Sequence, residues 1–427
     1  MTAGAPTLPL ALYAAATGLA AALAPALLRR RAAGGKEAPA RLGERLGHAG
    51  APRPEGLLVW LHGVSVGESL SLLPLVEALR ARRPEITLLV TSGTVTSARV
   101  LGQRLPEGVI HQFAPVDSPG AVRRFLDHWR PHTGVFVESE LWPNLILGAR
   151  ARGVRLALVS ARMTEESAWG WRRFPASAAA LLGAFDLIMP QAEATEIRLR
   201  ALGAVTGPHL NLKLAGGAPP ADEAELARLR AALDGRRAVA AVSTHPGDEA
   251  LVAESLKVAA IAPVPVLIVI PRHPDRGASV AAELAALGWR AARRGAGEAL
   301  EASTTAYVAD TLGELGLFLR LADVAVMGGA FGEGIGGHNP LEPARLALPV
   351  VTGQHAFNAQ AVYAEMLAEV AALEARDGDE LARHLRGLFG NPAIARRIGE
   401  AALAYAERRG AAALDAALAL LDPLLPA

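Results

Sequence analysis

From Leu57 onward the chain alternates two hydrophobic patterns. Short unbroken apolar runs give way, after a Gly or Ser, to longer stretches whose apolar residues recur every three or four positions. LLVWLH (57–62), ITLLVTS (86–92), TGVFVES (133–139) and VRLALVSA (154–161) are the first runs. A polar break covers Gly216 to Asp222. The pattern then restarts with AVAAVS (238–243), VPVLIVIPRH (264–273), AYVAD (306–310), DVAVMGG (323–329) and LPVVTG (348–353). An unbroken apolar run of strand length is buried on both faces, and its alternation with amphipathic helices predicts a parallel sheet covered on each side. Two such series of similar size predict an α/β chain with two Rossmann-like parallel-sheet domains facing each other across a cleft, with a boundary near Ala215. The Ala/Leu-rich helices from about Asp379 onward are expected to pack across both halves.

The first segment has a different pattern. Leu8 to Leu28 carries no charge and runs directly into Arg29, Arg30 and Arg31. About 20 uncharged residues suffice to cross a bilayer as a helix, although Pro9, Gly18 and Pro25 weaken this one. A signal peptide would place its positive charge before the apolar run, whereas here the basic cluster follows it. The segment therefore reads as an uncleaved N-terminal membrane-anchor helix with its C-terminal side in the cytoplasm; a helix lying in the interface is the other physical option. The expected organisation is an anchor over 1–34, an N-terminal Rossmann-like domain over 35–215 and a C-terminal one over 216–427, whose last helix would cross back.

Composition narrows the chemistry. With 43 basic and 42 acidic residues among 427, the net charge is +1, so no global field marks a nucleic-acid binder and any anionic ligand must be met by local groups. The absence of cysteine removes disulfides, thiolate metal sites and cysteine nucleophiles. No spacing of metal ligands stands out.

In open parallel sheets ligands bind beyond the carboxyl ends of the strands, so chemistry-bearing residues just after an apolar run are the ones to weigh. HGVSVGE (62–68) follows the first run and puts Glu68 at a helix start, where an acid also suits the helix dipole. VESELWPNLI (137–146) brings Glu138 and Glu140 to another strand end. Ser243 and Thr244 open STHPGDE (243–249). Arg272 and His273 follow VPVLIVIP, and cations there suit phosphate or carboxylate. Gly328 and Gly329 follow DVAVM, and GGHNPLEP (336–343) places Asn339 and Glu342 three apart, close to a capping box.

Together these blocks resemble the 3-deoxy-D-manno-octulosonic acid (Kdo) transferases of lipid A assembly. HGVSVGE, ESELWPNLI, SARMTEES, NLKLA, STHPGDE, IPRHP, TLGELGLFLRLADVAVMGG and GGHNPLEP occur in the family's order, and the likeness extends from the anchor through GKEAPARLGERLG (35–47) to the last helices. The resemblance implies a GT-B fold and an inverting transfer of Kdo from CMP-Kdo to a lipid A precursor, lipid IVA, at the cytoplasmic face of a bacterial inner membrane. It implies no metal or other cofactor, and no obligate protein partner. It implies that Glu68 is the general base, and that Glu138, Glu140, Arg162 and Lys213 lie toward the acceptor. It further implies that Ser243, Thr244, Arg272, His273, Gly328, Gly329, Asn339 and Glu342 hold the donor, with Arg272 and a helix N-terminus on the phosphate and Asn339 and Glu342 on the ribose. The chain departs from the family's pattern at Leu210, where a glycine is common, and at Leu214 and Ala215, where an acid usually follows the lysine. Two other readings share the domain plan: another GT-B enzyme, such as a uridine-donor transferase or a nucleotide-sugar epimerase, and a non-catalytic membrane-tethered binder of nucleotide sugars.

Overall fold

The structure is a computed structural model that describes residues 6–426. The chain divides into two compact units, residues 1–216 together with 410–427, and residues 217–409.

The first unit is built on six parallel strands: β1 (Leu58–His62), β2 (Thr87–Ser92), β3 (Ile110–Phe113), β4 (Thr133–Val137), β5 (Arg155–Ala161) and β6 (Leu187–Pro190), in the order β3-β2-β1-β4-β5-β6. This is the doubly wound order of dinucleotide-binding sheets, and its direction reverses between β1 and β4. Successive side chains of a strand point to opposite faces. Leu58 and Trp60 enter one core with Phe125, Trp129 and Phe136, while Val59 and Leu61 enter the other with Leu72, Leu75 and Val135. Both faces are buried, which explains why β1 has no polar alternation. The second core is completed from the far end of the chain, by Ala417, Leu418, Leu421 and Leu425.

The second unit holds seven strands in one parallel sheet: β7 (Ala238–Thr244), β8 (Val266–Pro271), β9 (Ala291–Arg293), β10 (Ala306–Val308), β11 (Val324–Met327), β12 (Val350–Thr352) and β13 (Leu373–Glu374). Their order is β13-β12-β11-β7-β8-β10-β9, so the reversal falls between β7 and β11. The helix Pro392–Leu421 begins in the second unit and ends in the first.

The N-terminal segment differs from the single helix expected over Leu8–Leu28. It forms two helices, Leu8–Ala20 and Ala24–Ala33, bent by 65°. Pro25 supplies the reason: it lacks an amide hydrogen, and its ring would collide with the carbonyl one turn earlier if the first helix continued, whereas it is welcome in a first turn. Among the described residues no single helix is long and apolar enough to cross a membrane; this bent pair qualifies by length and composition alone. The first helix is tied to its own unit, with the Tyr13 hydroxyl donating to Asp117 (3.0 Å), Asn144 Nδ2 donating to the Thr17 hydroxyl (3.0 Å), and Thr7 and Ser177 sharing a hydroxyl contact.

Candidate active site

Each sheet has its switch point where the sequence concentrates polar residues. In the first unit β1 and β4 are direct neighbours, with His62 opposite Phe136. The chain leaving β1 passes through Gly63. A Cβ there would lie 3.1 Å from both Glu68 Cβ and Val137 Cγ2, so glycine allows the next helix to begin tight against the end of β4. At Gly67, by contrast, no atom stands within 4 Å of such a position. Ser65 caps the helix Val66–Arg82, and Glu68 completes a reciprocal capping box. Glu68 Oε2 accepts from the amides of Val64 (2.6 Å) and Ser65 (3.1 Å). Among the described residues, Oε1 has no hydrogen-bond partner.

Glu138 and Glu140 follow β4. Glu138 is buried and takes the left-handed backbone conformation (φ 58°), uncommon for a residue with a Cβ. Its carboxylate pairs with Lys213 Nζ at 2.7 Å. Lys213 is delivered by a short turn, Leu212–Ala215, which Asn211 caps and which Ser160 holds by accepting from the Leu212 amide. Glu140 accepts from the indole of Trp142 at 2.5 Å. Partial burial first, and the Glu68 charge after it, raise the half-buried Glu140 carboxyl to about 7; the Trp142 hydrogen bond opposes this rise, and Glu138 adds a smaller push. Three carboxylates and one lysine therefore converge at the switch point. Arg162 lies beside them through its amide, which donates to the Glu138 carbonyl (3.1 Å), and its side chain is exposed.

In the second unit β7 and β11 are neighbours, with Val242 opposite Met327. Ser243 is left-handed (φ 55°) and sits at an irregularity in the β7–β8 register. The Thr244 hydroxyl turns away from the strand end and donates to the fully buried Glu249 (2.7 Å), which also pairs with Arg276 (2.8 Å). Thr244 is thus committed internally and is not presented as a hydroxyl donor to a ligand. Gly328 and Gly329 likewise spend their amides inside the protein, on the Val242 carbonyl and on Asp248 Oδ2. What they provide is space: a Cβ on Gly328 would stand 2.7 Å from Thr244 Cα. The helix Asp248–Ala259 opens with two acids, Asp248 and Glu249, which oppose a phosphate at its N-terminus. Beyond β8, the side chains of Arg272 and His273 are exposed.

Two residues not singled out from the sequence join them. The rings of His245 and His338 stack 5.1 Å apart, with their Nε2 atoms 2.9 Å from each other. One nitrogen must carry the proton and the other accept it. Burial lowers His245 against the pull of Asp248, and burial together with His245, Arg272 and His273 brings His338 down to about 4. The His273 ring stands perpendicular to His245. Asn339 accepts from the Leu341 amide (3.1 Å), and Glu342 opens the next short helix, close to the charge of Arg345. Among the described residues no three His, Asp or Glu side chains converge as a metal ion would need.

A family profile described as 3-Deoxy-D-manno-octulosonic-acid transferase (kdotransferase) matches residues 40–215. The 3-deoxy-D-manno-octulosonic acid transferase of Bordetella pertussis is 37% identical over 394 residues, 88% of this chain and 90% of that protein. The chain belongs to the Kdo transferase family. It is therefore a glycosyltransferase. The fold agrees: a glycosyltransferase from Rickettsia africae superposes with a TM-score of 0.59 at 10% identity, covering 87% of this chain and 99% of that one. The UDP-GlcNAc 2-epimerase of Neisseria meningitidis superposes with 0.55 at 11% identity, covering 86% of this chain and all of that one. At such identities these likenesses speak for the GT-B fold alone, so the rival readings from the sequence are set aside by sequence kinship, not by architecture. Within the Kdo transferase, His245 and His338 sat inside two of the blocks that carried the resemblance, STHPGDE and GGHNPLEP. What could have flagged them was their placement, each in a turn after a strand of the same switch point.

Proposed function

We propose that this Kdo transferase moves Kdo from CMP-Kdo to the sugar of a lipid A precursor, lipid IVA, with inversion at the anomeric carbon. The observation that carries this reading is the anchoring of Glu68: two backbone amides fix Oε2, which leaves Oε1 as the atom available to an acceptor hydroxyl. A hydroxyl is a poor nucleophile, and a positioned carboxylate that takes its proton as the oxygen attacks contributes on the order of 10²–10⁴ in rate. The C–O bond to the phosphate breaks as the new bond forms on the opposite side, and CMP leaves with the electron pair and one further negative charge. Arg272 and His273, with the His245–His338 pair beside them, are assigned to that charge, so the reading requires no metal ion. Lys213 compensates Glu138, and Glu140 is poised to hold a proton near neutrality and to donate a hydrogen bond to the acceptor. Asn339 and Glu342 are assigned to the ribose. The acceptor is held at a membrane surface on the cytoplasmic side.

Glu68→Gln tests the mechanism without removing the cap, because the amide oxygen still accepts from Val64 and Ser65. The expected result is a fall in kcat of at least ~100-fold, with calorimetric CMP binding unchanged, CMP preferred over UDP, and wild-type turnover insensitive to EDTA. Near-normal turnover by Glu68→Gln would overturn the assignment of the base.

A further inference from the structure

Beside the acceptor carboxylates lies a cavity of about 430 Å³, lined by Leu10, Tyr13, Trp142, Trp171 and Phe174, with Gly170 in its wall. That size is typical of small-ligand sites. No charged side chain lines it. Four helices build it: Leu8–Ala20, the start of Pro143–Ala151, Glu165–Arg172, and the start of Pro175–Leu182. The N-terminal helix is held there by the Tyr13–Asp117 and Thr17–Asn144 hydrogen bonds, so the wall it supplies is part of the unit. We propose that this cavity receives an acyl chain of the lipid acceptor, and that the N-terminal helix serves as a wall of the acceptor site. The proposal rests on the reading of the acceptor as an acylated sugar and assigns where its hydrocarbon goes.

Three observations converge on that occupant. Trp142 belongs to both places: its indole nitrogen donates to Glu140, while the same side chain lines the cavity. A ligand that presents a hydroxyl to the carboxylates therefore has the apolar slot within reach of its next substituents. The surface around the slot is apolar as well. Leu10 is turned inward, at 6% exposure, whereas Leu8, Leu12 and Leu19 on the same helix are 72%, 60% and 80% exposed, and Phe174 and Trp169 are 49% and 55% exposed. Several large apolar side chains exposed on the elements that build the slot suit a lipid or partner contact. The rim carries a cation: Arg173 is exposed next to Phe174, its guanidinium 3.7 Å above the Trp169 ring, while its neighbour Arg172 is paired with Glu165 (2.9 Å). A hydrocarbon slot with an arginine rim on one side and carboxylates on the other fits a molecule that is alkyl at one end and an anionic sugar at the other. Apolar walls keep the hydrocarbon out of water while the sugar reaches the carboxylates, and a phosphate-like group finds a charge-assisted donor at the rim.

Gly170 provides the test. A Cβ at this position meets nothing within 4 Å, so the side chain of Gly170→Leu starts in open space at the wall of the slot, and leucine is a better helix residue than glycine. Full-length enzyme in detergent is assayed with CMP-Kdo and two acceptors, lipid IVA and its chemically deacylated form. The expected result is a KM for lipid IVA raised ~10-fold in Gly170→Leu, the size of effect of losing a small apolar contact. KM for CMP-Kdo and turnover of the deacylated acceptor should stay unchanged. A diazirine placed on an acyl chain should label the peptide containing Trp171 and Phe174 in the wild type, and Gly170→Leu should lose that label. Equal kinetics of the two enzymes on lipid IVA, or label confined to the exposed Leu8–Leu27 face, would overturn the slot while leaving the transferase reading intact. No transfer by the wild type to either acceptor would overturn both.

Discussion

Glu140 shows how a single side chain registers its neighbours. Its carboxyl titrates near 7 because it is half-buried and because Glu68 and Glu138 are close, an arrangement with consequences for stability. In the unfolded chain it titrates near its ordinary value, 4.5. Between these values the folded state holds a proton that the unfolded state has released, so stability falls as pH rises through that window and levels off above it. Glu140→Gln removes the titration and keeps an oxygen for the Trp142 indole. The variant should match the wild type near pH 4 and melt several degrees higher at pH 8, measured by calorimetry on the ligand-free protein. A wild-type stability flat from pH 4.5 to 7 would contradict the arrangement. At this scale the sequence was a partial guide. It pointed to Glu68, Glu138 and Glu140 because acids at strand ends are unusual. It named Gly328 and Gly329 among the donor-holding residues; the structure shows that their amides are already taken by Val242 and Asp248. Likewise hidden was the internal role of Thr244, whose hydroxyl could face either way from a strand end.

At the scale of elements, the helix Pro143–Ala151 shows how a distant residue can fix a local structure. Its N-cap, Trp142, offers no side-chain acceptor, and Pro143 has no amide hydrogen to satisfy. The next two amides, of Asn144 and Leu145, donate to the two carboxylate oxygens of Asp117, which also accepts from Tyr13. Asp117→Ala removes all three at once. It should destabilise the protein by about 2 kcal/mol, the upper range for a lost cap, and hydrogen exchange should rise first in residues 143–151 and 8–20. An unchanged denaturation midpoint would contradict this linkage. Asp117 drew no notice in the sequence because it precedes the helix it caps by a whole helix and a strand. The strands themselves were legible in proportion to their burial. Every strand that read as an unbroken apolar run lies inside a sheet. The four that gave no such signal, β3, β6, β9 and β13, are the outermost strands of the two sheets, with two to four residues each. An outer strand pairs on one side only, so it can be short, admit polar residues as IHQF does, or end in proline as LIMP does. The break in the N-terminal segment was foreshadowed by Pro25, yet an uncharged run conveys length more clearly than it conveys a bend.

At the scale of the whole molecule, the first unit is discontinuous in sequence. Residues 410–427 return to it after the second unit is complete, and Leu421 and Leu425 sit in the same core as Leu72, Leu75 and Val90. The side chain of Leu421 is fully buried, so Leu421→Ala should cost about 2–5 kcal/mol through lost burial and the cavity left behind. The loss should be confined to the first unit: hydrogen exchange should quicken in β1 and β2, while β7 and β8 keep their protection. Equal loosening of both sheets would contradict the assignment. The returning helix also has a consequence for biosynthesis. A ribosome finishes Arg409, and with it the whole second unit, before it makes the helical turns that seal the first. The earlier-made half must therefore wait, with an apolar furrow open to chaperones and to sister chains, until the later-made half has been translated. The half that starts first is the half that finishes last.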